Sequence, residues 1–165
     1  MTLKDIRDFV FPKAFALLPA GMNTPAAQVI LLTIGLQESR FEYRRQLGNG
    51  PARGFWQFEE GNSKSRAGVW GVMNHPASKE HMRKLCAHFG LPFTTKAVWS
   101  ALETNDVLAC CAARLLMYTD AAKLPQVNDA AGAWDMYAKR VWRPGKPHPE
   151  TWNGFHAQAV KEVLN

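Results

Sequence analysis

The sequence predicts an all-α fold, a compact single domain of about seven helices. Three observations carry that prediction. Apolar residues recur at helical spacing in several segments, and no segment alternates apolar and polar residues over the length of a strand. Helix-starting and helix-stopping residues also stand where the apolar segments begin and end. The length, 165 residues, suits one domain with a sizeable core. With 47% hydrophobic and 21% charged residues, the chain is globular rather than disordered. It shows no internal repeat and no low-complexity segment.

Each element has a local reason. Thr2 and Asp5 have the spacing of a capping box, opening a helix over residues 3–18 with Ile6, Phe9, Val10, Ala14, Leu17 and Leu18 on one face. Pro19-Ala20-Gly21 ends it. Thr24 is an N-cap with Pro25 at the first helical position. The helix that follows, to Gln37 or Arg40, is apolar almost all round, which makes it the central buried helix. Residues 41–54 are too polar and too glycine-broken for a helix. Residues 55–74 are rich in glycine and argue against long regular structure. Pro76 can open a helix that Gly90 stops. Thr94 or Thr95 caps a short one through Leu102, and Thr104 or Asn105 caps an apolar one through Tyr118. Asn128 or Asp129 starts a helix to about Val141. Three prolines and a glycine keep residues 142–149 from being helical, and Pro149 opens a last helix to about Leu164.

Composition also narrows the function classes. No apolar run reaches the ~18 residues of a membrane span. The charged residues Lys4, Asp5, Arg7, Asp8 and Lys13 interrupt the start of the chain, unlike a secretory signal. The expectation is a protein made in the cytoplasm that needs another route to any site outside it. Three cysteines, two of them adjacent in an apolar helix, read as reduced core thiols. The net charge of +6 favours polyanionic partners, among them nucleic acid and the acidic polymers of a bacterial wall. His75, His81 and His88 lack metal-ligand spacing, and no phosphate loop, dinucleotide fingerprint or nucleophile elbow occurs. The reading is therefore of a protein with no metal and no cofactor.

The stretch from Gly35 to Phe58 organises the rest. Glu38 stands at the end of the apolar helix, followed by Ser39. A glycine-punctuated loop leads to Gly54-Phe55-Trp56-Gln57-Phe58. A carboxylate in apolar surroundings is costly to ionise, so its pKa rises, as a general acid near neutral pH requires. Gln57, placed among aromatics, needs partners if buried.

These residues resemble the soluble lytic transglycosylases and goose-type lysozymes. Those families pair Glu-Ser with a Gly-Leu-Met-Gln-like strip at about this spacing, and carry a later Tyr-Asn pair on a helix. The counterpart here is Ala133-Trp134-Asp135-Met136-Tyr137, which departs from the pattern because Ala138 follows the tyrosine. The stretch Ala133 to Trp152 is similar to that of small lysozyme-like proteins of tailed phages. The resemblance implies a lysozyme-like fold with a substrate cleft. It implies cleavage of the β-1,4 bond between N-acetylmuramic acid and N-acetylglucosamine in peptidoglycan, with Glu38 as the acid. It also implies that Ser39 helps hold the acid, that Gln57 and Phe58 line the sugar cleft, and that Tyr137 hydrogen-bonds Glu38. A transglycosylase needs no second carboxylate. A hydrolase that inverts does, and Glu42, Glu59 and Glu60 are the candidates. The protein would then act on the wall as a free endolysin or as a virion part. Its partners would be peptidoglycan strands and, in a particle, other virion proteins, with no nucleic acid, no membrane insertion and a monomeric state.

Two other classes stay open at this point. One is a virion protein of the same fold without activity. The other is a basic DNA-binding helical protein, for which Arg40, Arg44, Arg45 and Arg53 form the one cluster of cations. Beside the proposed cleft, the same cluster could instead meet the carboxylates of wall peptides.

Overall fold

A computed structural model describes residues 1–165 as one compact all-α domain of eight helices without strands. Helix α1 runs through three consecutive segments, Leu3–Asp5, a π-helical Ile6–Val10 and Phe11–Ala16. Its capping box is formed, with Thr2 Oγ1 accepting from the Asp5 amide and the Asp5 carboxylate accepting from the Thr2 amide. Helix α2 is Pro25–Ser39, capped by Thr24, whose hydroxyl accepts from the Ala27 amide at 3.1 Å. Next come α3 (Gly68–Asn74), α4 (Lys79–Phe89), α5 (Thr95–Leu102) and α6 (Asp106–Tyr118). Helix α7 comprises Ala130–Trp134 and a π-helical continuation, Asp135–Val141. Helix α8 is Pro149–Leu164.

The helix that the sequence does not resolve is α3, bringing the count to eight against an expected seven. It is short and carries two glycines, so its periodicity is weak. Pro76 proves to lie in the turn before α4 rather than at its first position. The caps at Thr94, Asn105 and Asp129 accept from backbone amides three residues on, which decides the alternatives at all three starts.

Helix α2 is the axis of the core. Between Val29 and Ser39, only Gln37 and Glu38 are not buried. It packs along α8 on one side and against α6 on another. Cys86, Cys110 and Cys111 are buried free thiols within this core. No helix is long and apolar enough to cross a membrane.

Candidate functional site

Helix α2 ends abruptly, and the way it ends makes the site. Arg40 and Phe41 both adopt left-handed backbone, with φ of 54° and 56°. Two such non-glycine residues in succession are sterically costly, and surrounding contacts hold them. The Ser39 hydroxyl donates to the Phe55 carbonyl at 2.7 Å and accepts from the Phe41 amide at 3.1 Å. The Cζ end of the Phe41 ring occupies the space beside Gly35, where any Cβ would overlap the ring. It also meets Phe55 and Trp56 edge-on, at 5.5 and 5.7 Å between centroids. Reversed in this way, the chain leaves Glu38 at the edge of the core with its carboxyl facing an open cavity of about 810 Å³.

The loop after α2 is clamped from outside. Arg44 makes two 2.8 Å hydrogen bonds to Asp106 at the start of α6 and stacks over Phe55 at 4.3 Å. Arg45 and Arg53 share Glu103, and Arg53 also stacks over Trp99. Three of the four arginines in the sequence cluster are therefore paired with carboxylates of the fold itself. Within the loop, Arg53 and Phe58 exchange backbone hydrogen bonds at 2.9 Å, closing a tight turn around Gln57. Gly54 at that turn has φ of 74°, and a side chain there would press on the Leu102 carbonyl.

Gln57 is half-buried, with a left-handed φ of 49°. Its amide donates to the Gly54 carbonyl at 2.9 Å, so part of it secures the turn while the residue lines the cavity. Phe55 and Trp56 are wholly buried, and Trp56 donates its indole N–H to the Leu31 carbonyl inside the core. Phe58 borders the cavity but is 2% exposed, its ring edge-on to Trp142. The strip thus contributes a wall rather than an open aromatic face. The exposed aromatic of the cavity is Tyr43, which together with Leu47 forms an apolar rim. Sequence reasoning missed Tyr43, because nothing in an irregular loop signals which side chain faces out.

Glu38 has one hydrogen-bond partner. The Tyr137 hydroxyl, contributed from the π-helical part of α7, donates to its Oε1 at 2.7 Å across 99 residues of sequence. Tyr137 is held in turn by Trp152, on which it stacks at 4.9 Å with planes 15° apart. Burial raises the Glu38 pKa from 4.5 to about 7, and the Tyr137 hydrogen bond partly opposes that rise. The carboxyl surface facing the cavity is small, and dense protein surrounds the rest. The negative end of the α2 dipole acts in the same direction as burial. No neighbouring charge contributes to the shift. Tyr137 itself is pushed far up by burial and by Glu38, so it stays protonated and remains a donor.

The π-helical geometry places Tyr137. The Trp142 amide bonds to the Tyr137 carbonyl at 3.0 Å, five residues back, which widens the helix and turns its side chains relative to an α-helix. The segment after α7 also lines the cavity. Trp142 donates to the Trp56 carbonyl at 3.1 Å, while Gln37 donates to the His148 carbonyl at 3.0 Å. Between these two anchors lie Arg143, Pro144, Gly145 and Lys146, all lining the cavity.

The structure brings Glu38, Gln57, Phe58 and Tyr137 together as the sequence reading expects. Ser39, expected to help hold the acid, bonds the backbone of Gly35, Phe55 and Phe41 at the helix end that carries Glu38, with no direct bond to the carboxyl. Among the candidate second carboxylates, Glu59 lines the cavity. Glu60 instead accepts from Thr95 at 2.8 Å, and Glu42 is exposed outside the cavity lining. No three His, Cys, Asp or Glu side chains cluster as metal ligands. Compared with known proteins, the chain matches no family model, no curated protein and no solved structure.

Proposed function

We propose that the protein is a peptidoglycan-cleaving glycosidase of lysozyme-like fold, acting on the bond between N-acetylmuramic acid and N-acetylglucosamine. The observation that carries this reading is a carboxyl that holds its proton up to about pH 7, oriented by a tyrosine and facing an open groove. Such a group can donate a proton to a glycosidic oxygen and recover one in a later step.

The steps balance with one carboxyl. Glu38 gives its proton to the leaving oxygen as the C1–O bond breaks. Positive charge develops on the sugar, and the new carboxylate lies beneath it, with the Tyr137 hydroxyl stabilising the ionised form. The carboxylate then takes the proton of the muramoyl 6-hydroxyl, whose oxygen closes on C1 to give the anhydro sugar. Glu38 returns to its protonated state. This route needs no second carboxylate. Glu59 in the same cavity supports a second route, in which it activates a water and the product is a reducing sugar. Tyr43 offers a flat, exposed face at the rim on which a sugar ring can stack.

The test is digestion of purified peptidoglycan by the wild type and by Glu38→Gln, with released fragments read by mass spectrometry. The variant keeps the shape and the Tyr137 acceptor but has no proton to give. Loss of its general-acid step predicts a rate lower by ~100-fold or more. Fragments lighter by one water identify the anhydro route, and hydrated fragments the Glu59 route. A wild type that releases nothing from several wall types refutes the proposal.

A further inference from the structure

Arg114, on α6, is the most deeply buried arginine of the chain, 4% exposed. The other buried arginine, Arg53, has Glu103 as its counter-ion. Arg114 has no counter-ion, since it takes part in none of the ion pairs of the fold. Its one hydrogen bond runs from Nε to the Met22 carbonyl at 2.9 Å, in the turn between α1 and α2. Nη1 is buried and has no protein partner.

A guanidinium carries five N–H donors, and burying it unpaired sacrifices the hydration of both the donors and the charge. The ionisable groups that act on Arg114 are Tyr118 and Cys110, with no carboxylate among them, and burial lowers its pKa. The Met22 carbonyl answers one donor. Water can answer others but leaves the charge unbalanced. An oxyanion answers both, because two oxygens match the Nη1–Nη2 edge that Met22 leaves open.

The surroundings give such a group a way in. Gly21 and Asn23 are exposed on either side of Met22, and a Cβ on Gly21 would meet nothing within 4 Å. Tyr118 follows Arg114 by one turn on the same face of α6 and is 47% exposed. Arg114, Met22 and Tyr118 all lie outside the lining of the Glu38 cavity.

We infer that Arg114, beneath the α1–α2 turn, anchors a second binding site, which takes the oxyanion of a small ligand, a carboxylate or a phosphate group. The bound anion pairs with the Nη1–Nη2 edge and ties α6 to the turn from which α2 starts. The site does not depend on the glycosidase reading.

The test titrates phosphate, acetate and chloride at matched ionic strength into the wild type and Arg114→Met. It follows urea denaturation together with the amide and guanidinium signals in nitrogen-15 NMR spectra. An anion bound only by the folded state makes stability follow its concentration. Above the Kd, each tenfold increase multiplies the folded-to-unfolded ratio by about ten. The expected result is that dependence for phosphate or acetate in the wild type, with the Arg114 Nε signal and the Met22 and Asn23 amides shifting along the same saturation curve. Arg114→Met keeps the general stabilisation by phosphate, which acts on the whole surface, and loses the saturable part. A larger response to phosphate identifies a phosphate ligand, and an equal or larger response to acetate a carboxylate. The inference is overturned if the signals around Arg114 move for neither oxyanion, if chloride matches both, or if Arg114→Met keeps the saturable response. Should Arg114→Met fail to fold, the wild-type spectra decide alone, because they report binding at the residue itself.

Discussion

Replacing Glu38 by Gln tests the site without any substrate, through the pH dependence of stability. In the unfolded chain the carboxyl ionises near its ordinary 4.5, and in the folded protein near 7. Below pH 4.5 both states hold the proton, and the carboxyl contributes no charge penalty. Between the two values the unfolded chain releases its proton first, so the folded state binds more protons and stability falls as pH rises. Above about 7 both states are ionised and the loss is complete. At about 1.4 kcal/mol per pH unit, the full loss is ~3 kcal/mol. Glutamine cannot ionise and can still accept from Tyr137. The variant therefore matches wild type within about 1 kcal/mol at pH 4 and exceeds it by up to ~3 kcal/mol at pH 8. Urea denaturation of both proteins at half-unit intervals gives the two curves. Subtracting them removes the other groups that titrate in this range, including His156, whose pKa burial lowers. Parallel curves from pH 4 to pH 8 would show that Glu38 is well solvated and refute the reasoning, whatever the protein's activity.

Other outcomes follow from the same contacts. Tyr137→Phe removes the hydrogen bond that favours ionised Glu38, so the Glu38 pKa moves above 7; a charge-assisted bond of ~1.5–3 kcal/mol sets a rise of about 1–2 pH units. The alkaline limb of the activity profile, or a carbon-13 titration of labelled glutamate, shows it; an unmoved limb denies the coupling. Ser39→Ala leaves the buried Phe55 carbonyl and Phe41 amide without that partner, at a cost of ~1–3 kcal/mol in chemical denaturation; a neutral result would mean that the end of α2 is held without it. Tyr43→Ala, at an exposed rim position, raises KM several-fold with little change in folding stability. An unchanged KM removes Tyr43 from the substrate path.

Most helices were legible because capping and periodicity act locally. Thr2 with Asp5, Thr24 before Pro25, and Gly90 each specify a helix end through neighbouring backbone groups. Helix α2 was legible as the axis because it has no polar face to offer solvent. The weakly periodic α3 was lost among glycines. At the site, Glu38 was marked by its apolar helix, and Gln57 by its place in the aromatic strip. Tyr137 was marked only by resemblance, and without the expected asparagine. Its contact with Glu38 depends on a π-helical register that no local preference encodes. Ser39 was marked by the same resemblance, and its bonds to the Phe55 carbonyl and the Phe41 amide depend on a chain reversal that adjacency to Glu38 does not encode. Tyr43 and the free cations Arg143 and Lys146 lie on irregular segments, where facing is set by long-range anchors such as Trp142 on Trp56.

The strain around the cleft follows a pattern. Six non-glycine residues adopt positive φ, and four of them, Arg40, Phe41, Gln57 and Arg143, lie at the cleft or at the helix end that forms it. Outside glycine, left-handed backbone costs roughly 1–2 kcal/mol per residue, and the neutral-to-charged penalty on Glu38 adds to it at higher pH. Such costs persist only where surrounding contacts over-determine the geometry. Here those contacts can be named. They are the Phe41 ring seated on Gly35, the Ser39 hydroxyl bridging the helix end to Phe55, the Gln57 amide on Gly54, and Tyr137 stacked on Trp152. A cavity used only as a packing defect would not require its strain to be held at so many independent points, nor a tyrosine brought across 99 residues to one carboxyl. Under the proposed glycosidase reading, a groove that presents an oriented proton to a long substrate accounts for both.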